Sequence, residues 1–170
     1  MGRRPATASG SIDMDAKIKR FILNIINSQS DLTLATLRDD GYPQANTVSY
    51  VNEGCTLYFA TNRNSQKVRN LQHCNRVSLT IDVPYVNRSQ IRGLSMAGIA
   101  ELLHDDLGET LHARDLLYQK FPIPWEAPPP APPGQVMFVK IAPEIISVLD
   151  YSKGFGHAEL VRLGTEDLGA

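Results

Sequence analysis

Residues 32–51 read LTLATLRDDGYPQANTVSYV, and their period decides the fold. Leu32, Leu34 and Leu37 are interleaved with small polar residues, Asp39-Asp40-Gly41 has the composition of a tight turn, and Ala45 to Val51 resumes an extended run. Alternation of two on either side of an Asp-Gly turn is the signature of a β-hairpin with one wet face. Working outward, Asn52-Glu53-Gly54 turns the chain again before a short apolar strand from Thr56 to Ala60. Upstream, Ile18, Phe21, Ile22, Ile25 and Ile26 recur at helical spacing among Lys17, Lys19 and Arg20, which predicts an amphipathic helix starting at Asp13 or Asp15.

Downstream, TLYFATNRNSQKVRNL (56–71) passes from strand through a polar turn into a helix opened by Ser65-Gln66-Lys67, with Val68 and Leu71 turned to the core. Strands then return. Val77, Leu79 and Ile81 alternate with Ser78, Thr80 and Asp82, and Leu94, Met96, Gly98 and Ala100 alternate along 92–103. Asp106 to Phe121 predicts a further helix, with Leu107, Leu111, Leu117 and Tyr118 on its apolar side and an Asp106/Glu109 capping box. Pro122 and Pro124 end it, and 122–134, with seven prolines, reads as a stiff extended surface loop. Two β runs, Val136–Ile141 and Ile145–Leu149, are expected on either side of Ala142-Pro143-Glu144.

The expected fold is mostly β: six to seven short, mostly antiparallel strands in a closed or partly closed barrel with peripheral helices. The domain plan is a loose polar tail at 1–12, one barrel domain at 13–151 and a C-terminal segment at 152–170. A chain of 170 residues with 42% hydrophobic content supports one such core. Seventeen basic residues against eighteen acidic give no broad positive field, which argues against nucleic acid. No apolar run is long enough to span a bilayer, and the basic N-terminal stretch has no apolar signal core, so a cytoplasmic protein is expected.

The chemistry concentrates at 61–67. Thr61 and Ser65 supply hydroxyls, Lys67 a full charge, and the helix start supplies unpaired N–H groups, which together suit a phosphate. The alternative at this point is that Ser65 merely caps the helix and Lys67 is a solvated cation. Cys55 and Cys74 form no ligand pattern and read as structural thiols. His104, Asp105, Asp106 and His112 read as helix-start chemistry and no metal is expected. Trp125 is expected to pack on the barrel, and Lys153 and His157, in a Gly-containing loop, are further candidates for a ligand.

The ordered series LATLRDDGYPQANTVSYV, LYFATNRNSQKVRNL, NRVSLTID and GIAELL resembles the FMN-binding split barrel of the pyridoxamine 5'-phosphate oxidase family over 31–103, and more weakly to about residue 150. The resemblance implies a homodimer holding FMN in clefts at the subunit interface. Carried over by position, Ala45, Asn46, Thr47, Val48, Ser49 and Tyr50 match the strand beside the flavin, Ala60 and Thr61 the next contact strand, and Ser65, Gln66 and Lys67 the phosphate-binding segment. The chain departs from the vitamin oxidase where that enzyme has Arg, Lys and Gln: here stand Ala45, Tyr50 and Gly93. Arg63, Arg69 and Arg92 are the candidates to replace the missing charge, Arg92 being taken as a cofactor contact. The oxidase's C-terminal Arg-Leu-His-Asp-Arg type run is also missing, and 151–160 reads YSKGFGHAEL.

The implied activity is therefore hydride transfer through FMN on a small substrate other than pyridoxamine phosphate, with no side-chain nucleophile needed. Two alternatives are a deazaflavin-dependent reductase, whose acidic tail Lys17, Lys19 and Arg20 could meet, and a flavin- or haem-binding module without turnover.

Overall fold

The computed structural model describes residues 15–104, 108–122, 132 and 134–168. The expected tail at 1–12, Trp125, most of the proline-rich loop and the Asp105-Asp106-Leu107 helix start lie outside these residues. No helix among those described is long and apolar enough to cross a membrane.

Helix α1 (Ala16–Ser28) starts where Asp15 accepts the Lys17 amide at 3.1 Å and buries Ile22, Ile25 and Ile26. Each such side chain removed from water contributes about 1.5–3 kcal/mol, so this face docks the helix on the sheet. The hairpin follows as read: β1 (Asp31–Leu37) pairs antiparallel with β2 (Pro43–Ser49), and Gly41 takes a positive φ of 84° at the turn. The extended run expected to continue through Val51 instead divides at Tyr50. Ser49 is exposed while Tyr50 and Val51 are both buried, so alternation slips by one residue and the chain leaves β1 to form β3 (Val51–Glu53) against β4 (Thr56–Asn62). Tyr50 is fully buried, its amide donating to the Ser30 carbonyl at 3.0 Å and its hydroxyl to the Ile26 carbonyl at 2.7 Å.

Helix α2 (Gln66–His73) precedes β5 (Arg76–Val83) and β6 (Arg92–Leu103), and α3 (Gly108–Lys120) leads toward β7 (Val136–Asp150). All pairings are antiparallel, in the order β2-β1-β5-β6-β7-β4-β3. The two ends of that order, β2 and β3, are separated in the chain by Tyr50 alone. The sheet must therefore curl until its ends meet, which makes it a half-open barrel around one core.

Two expectations about this half of the chain are corrected. The two β runs at 136–149 are one strand, because a bulge opposite Ala97 and Gly98 absorbs Glu144, with Pro143 still opposite Gly98, without ending the pairing. The apolar side of α3 is also different: Thr110 and Ala113 are buried and Leu116, Leu117 and Phe121 pack beside them, whereas Leu111 and Tyr118 are exposed. The C-terminal segment adds a strand that the repeat pattern did not reveal. β8 (Ala158–Arg162) pairs with the second half of β7, on the edge whose first half is taken by β4, and the short α4 (Thr165–Leu168) follows.

The bulge depends on Gly98. A Cβ there would lie 2.4 Å from the Ala142 carbonyl oxygen and 2.9 Å from the Pro143 Cα, both backbone atoms. Gly98→Ala is expected to lower stability by ~1–3 kcal/mol in urea unfolding, as overpacking against backbone does.

Candidate functional site

β4 ends in a turn that delivers three polar groups to one place. The Asn62 side chain accepts the Asn64 amide at 2.8 Å and its carbonyl accepts the Ser65 amide at 3.0 Å, which turns the chain sharply into α2. Ser65 occupies the N-cap with extended dihedrals, yet its hydroxyl makes no capping bond. Its Oγ is buried and has no hydrogen-bond partner among the described residues. The Lys67 ammonium, half-buried, donates to Thr61 Oγ1 at 3.1 Å. Hydroxyl, ammonium and the free amides of the α2 start thus converge at one end of the barrel.

Gln66 has a different task from the one expected of it. Its amide donates to Asn70 Oδ1 at 2.9 Å, and Asn70, 1% exposed, donates in turn to Thr36 Oγ1 and Gln44 Oε1 at 2.9 Å each. This network fixes α2 on β1 and β2. Asn70 escaped the sequence reading; its signal was a polar residue one turn beyond Gln66, beside Leu71. Arg69 donates to the Asn64 carbonyl at 2.8 Å and to Gln66 Oε1 at 2.7 Å, bracing the turn. Arg63 donates to the Gly134 and Val136 carbonyls at 2.8 and 3.2 Å, tying the turn to the start of β7.

Along β2, Ala45, Thr47 and Ser49 point outward and are exposed, and Ala60 is exposed on β4. Ser49 is occupied, donating to Asp31 Oδ1 at 2.6 Å. Asn46 faces inward and is half-buried. The side chains of Val48 and Tyr50 are committed to the core, 8% and 0% exposed, so neither is available to a ligand. The Lys120 ammonium sits 4.5 Å from the Tyr50 ring centroid while donating to the Gln29 carbonyl, and burial pushes the Tyr50 phenol far above its usual range.

Arg92 does not join the cluster within one chain. Thr61 stands opposite Met137 and Arg92 opposite Asp150, thirteen residues further along β7, roughly 40 Å of strand at the usual rise. There Arg92 Nε lies 3.5 Å from Asp150 Oδ1 and its guanidinium 5.9 Å from the Phe21 ring centroid. Lys153 and His157 meet near the same end, both against Glu159 Oε1, at 2.5 and 3.0 Å. His112 pairs with Glu53 at 3.3 Å, and among the described residues no three His, Cys, Asp or Glu side chains are grouped to hold a metal. Burial raises the Cys55 thiol above its usual value, which leaves it inert.

A sequence profile of the family described as pyridoxamine 5'-phosphate oxidase matches residues 15–146. No curated protein sequence matches the chain. Among solved structures, a haem-binding protein from Mycobacterium smegmatis aligns at TM-score 0.64 and 22% identity, over 81% of this chain and 55% of its own. HutZ, a haem storage protein from Vibrio cholerae, aligns at 0.60 and 15% identity, over 74% and 89%. A Listeria innocua protein provisionally described as a pyridoxamine 5'-phosphate oxidase aligns at 0.62 and 21% identity, over 78% and 98%. The chain thus spans about half the length of the first and nearly all of the other two. At such identities the likeness is one of fold.

Burial alone would raise the Asp150 carboxyl, but hydrogen bonds from the Ser152 hydroxyl and amide, with Arg92 and Lys153 nearby, hold it below its usual value. A folded-state value below the unfolded one stabilises the protein above about pH 4, and that contribution is lost as pH falls through the folded value. Asp150→Asn should therefore lower the urea midpoint near neutrality and shrink the difference from wild type as the titration moves into acid.

Proposed function

The chain belongs to the pyridoxamine 5'-phosphate oxidase family, and on that footing we propose that it is an FMN-dependent oxidoreductase. It would act as a homodimer on a small substrate other than pyridoxamine phosphate. The observation that carries this reading is the unpartnered, buried Ser65 Oγ beside the Lys67–Thr61 pair at the α2 start. A buried hydroxyl with no partner costs stability unless something else satisfies it, and an oxyanion is the group that this donor set fits. The residues present therefore suit a flavin phosphate.

The flavin, when bound, supplies the redox chemistry, since its N5 takes or gives the hydride. The chain's own residues bind and orient. Lys67 retains two N–H donors beyond the one given to Thr61, and the Ser65 hydroxyl and the first α2 amides add directional bonds to a phosphate. Ala45, Thr47 and Ala60 present small exposed side chains, over which a planar ring can lie close to the strands. Thr47, Ala45, Ala60, Thr61, Ser65 and Lys67 are the cofactor contacts under this proposal, with Gln66 a positioning residue through Asn70. The run at 151–160, which departs from the vitamin oxidase, lies in a 3-10 turn (Tyr151–Lys153), a glycine loop and β8, and supports a different substrate.

The outer sheet face supports the homodimer. In register across it lie Ala45 and Thr47, Ala35 and Thr33, Ser78 and Thr80, then Ala97 and Ser95, eight small uncharged side chains on four adjacent strands. A face of small side chains without charge is unusual on a surface open to water and suits close packing of two copies. The position of Ala45 and Thr47 on its edge strand supports a cofactor cleft at that interface.

A second reading is a haem-binding module, which draws on the haem-binding and haem-storage proteins sharing the fold. Haem iron needs an axial ligand, and His157, held by Glu159 in the loop that leaves Phe155 94% exposed, is a candidate. A deazaflavin is the third, with the α1 cations Lys17, Lys19 and Arg20 as the counterparts of its acidic tail. A visible spectrum of the purified protein, before and after adding FMN or haemin, separates them: flavin bands or saturable FMN uptake support the enzyme, and a haem Soret band lost in His157→Ala supports the module.

Lys67→Ala is expected to weaken FMN by ~1.5–3 kcal/mol in a fluorescence titration, the range for a lost charge-assisted bond. Unchanged affinity removes Lys67 from the site. Ala97→Arg places a charge on the uncharged face, and light scattering should then show a monomer with reduced FMN uptake. A wild-type monomer would remove the dimer.

A further inference from the structure

At the end of the barrel remote from Lys67 lies a cleft of about 310 Å³, between the first turns of α1 and the ends of β7 and β8. One wall is apolar, made by Ile18 and Phe21 on one helix face and Val148 on the strand opposite. The volume is at the lower end of what small-molecule sites show.

Set into this cleft is Asp150, whose side chain keeps 9% of its surface exposed. Its two oxygens are not equivalent. Oδ1 accepts the Ser152 amide at 3.1 Å and the Ser152 hydroxyl at 2.6 Å and has Arg92 Nε at 3.5 Å. Oδ2 accepts no hydrogen bond among the described residues. An ionised carboxylate this buried that lines a cleft, with one oxygen fully engaged and the other without a protein donor, has acceptor capacity left for a ligand.

The charges around it narrow the choice of ligand. Lys17 stands exposed at the cleft and its ammonium has no partner among the described residues, whereas Lys153 is paired with Glu159. Counting Arg92, three cations surround two carboxylates, so a simple cationic amine would meet a net positive surround. A ligand that carries its own carboxylate balances that excess.

We propose that this cleft binds a free amino acid with an aromatic or aliphatic side chain. The ligand ammonium donates to Asp150 Oδ2, its carboxylate meets Lys17, and its side chain lies against Ile18, Phe21 and Val148. This inference is independent of the cofactor reading, because the cleft shares no residue with the Thr61–Lys67 cluster.

Titration of the full chain with L-phenylalanine, followed by amide NMR, tests it. The expected result is saturable shifts at Phe21, Val148 and Ser152, with phenylpropionate, which lacks the ammonium, about tenfold weaker or more. Lys17→Gln, at an exposed position, should weaken L-phenylalanine and leave phenethylamine, which lacks the carboxylate and is itself a cation, unweakened or tighter. Asp150→Asn should weaken both. The same shifts should persist in Lys67→Ala, whether or not that variant holds FMN. Absence of shifts up to the solubility limit, shifts confined to other residues, or equal binding of phenylpropionate and L-phenylalanine would each overturn the proposal.

Discussion

The seam between β2 and β3 is the constraint on which the rest of the molecule depends. One residue, Tyr50, carries the chain from one edge of the sheet to the other. A flat sheet would set those edges several strand spacings apart, each about 4.8 Å, so a single residue can join them only if the sheet curls. Tyr50 is held there from three sides. Its amide bonds Ser30, its hydroxyl bonds the Ile26 carbonyl of α1, and the Lys120 ammonium from α3 lies over its ring. One aromatic side chain thereby links the curl of the sheet to the seating of two helices.

β7 is the second consequence of that curl. It runs fifteen residues, pairs along one side with β6, and shares its other side between β4 and β8. A strand of this length must bend to follow a barrel, and the bulge at Ala97/Gly98 supplies the bend. Gly98 allows the Ala142 carbonyl to approach, and Pro143 needs no ladder donor where the pairing is already interrupted. The two ends of β7 then define the two polar regions of the chain, the Thr61–Lys67 cluster and the Asp150 cleft.

What was legible in the sequence was whatever depends on local period. The Leu32/Leu34 alternation, the Asp-Gly turn, the Ile-rich face of α1 and the Ser65 helix start all correspond to observed elements, whereas Leu37, read with the other two leucines, is exposed because strict alternation buries Thr36 in its place. What escaped depends on partners distant in the chain. ANTVSYV has the composition of one strand, and only the pairing of Val51 with Tyr58 makes it two. Ala142-Pro143-Glu144 looks like a break because the partner strand that carries the pairing across it, at Ala97 and Gly98, lies about forty-five residues away in the chain. β8 is only five residues long, Ala158 to Arg162, and draws its order from the free edge of β7. In α3, Leu111 and Tyr118 out-compete Thr110 and Ala113 on hydrophobicity, but the helix turns Ala113, with Leu116 and Leu117, toward Val51 and Tyr58. At the site the same division holds. Ser65 and Lys67 were legible because a strand, a turn and a helix start are contiguous, whereas the roles of Gln66, Asn70, Arg92 and Asp150 follow from contacts across the fold.

The flavin and haem readings make different demands on this framework. A flavin phosphate asks for fixed donors at a helix start, and that requirement is met within sixteen contiguous residues, with the Asn70 network keeping α2 immobile on the hairpin. Haem asks for an axial ligand and a large apolar slot. His157 offers the first, but the nearest described cleft is small and carries Lys17, Asp150 and Glu159, a charged lining that disfavours a macrocycle. The unpartnered Ser65 hydroxyl is likewise explained by an anion and not by a porphyrin face. Under the proposed reading the phosphorylated cofactor takes the β4–α2 turn, and the charge at the far end of β7 is left to the ammonium and carboxylate of the proposed amino acid.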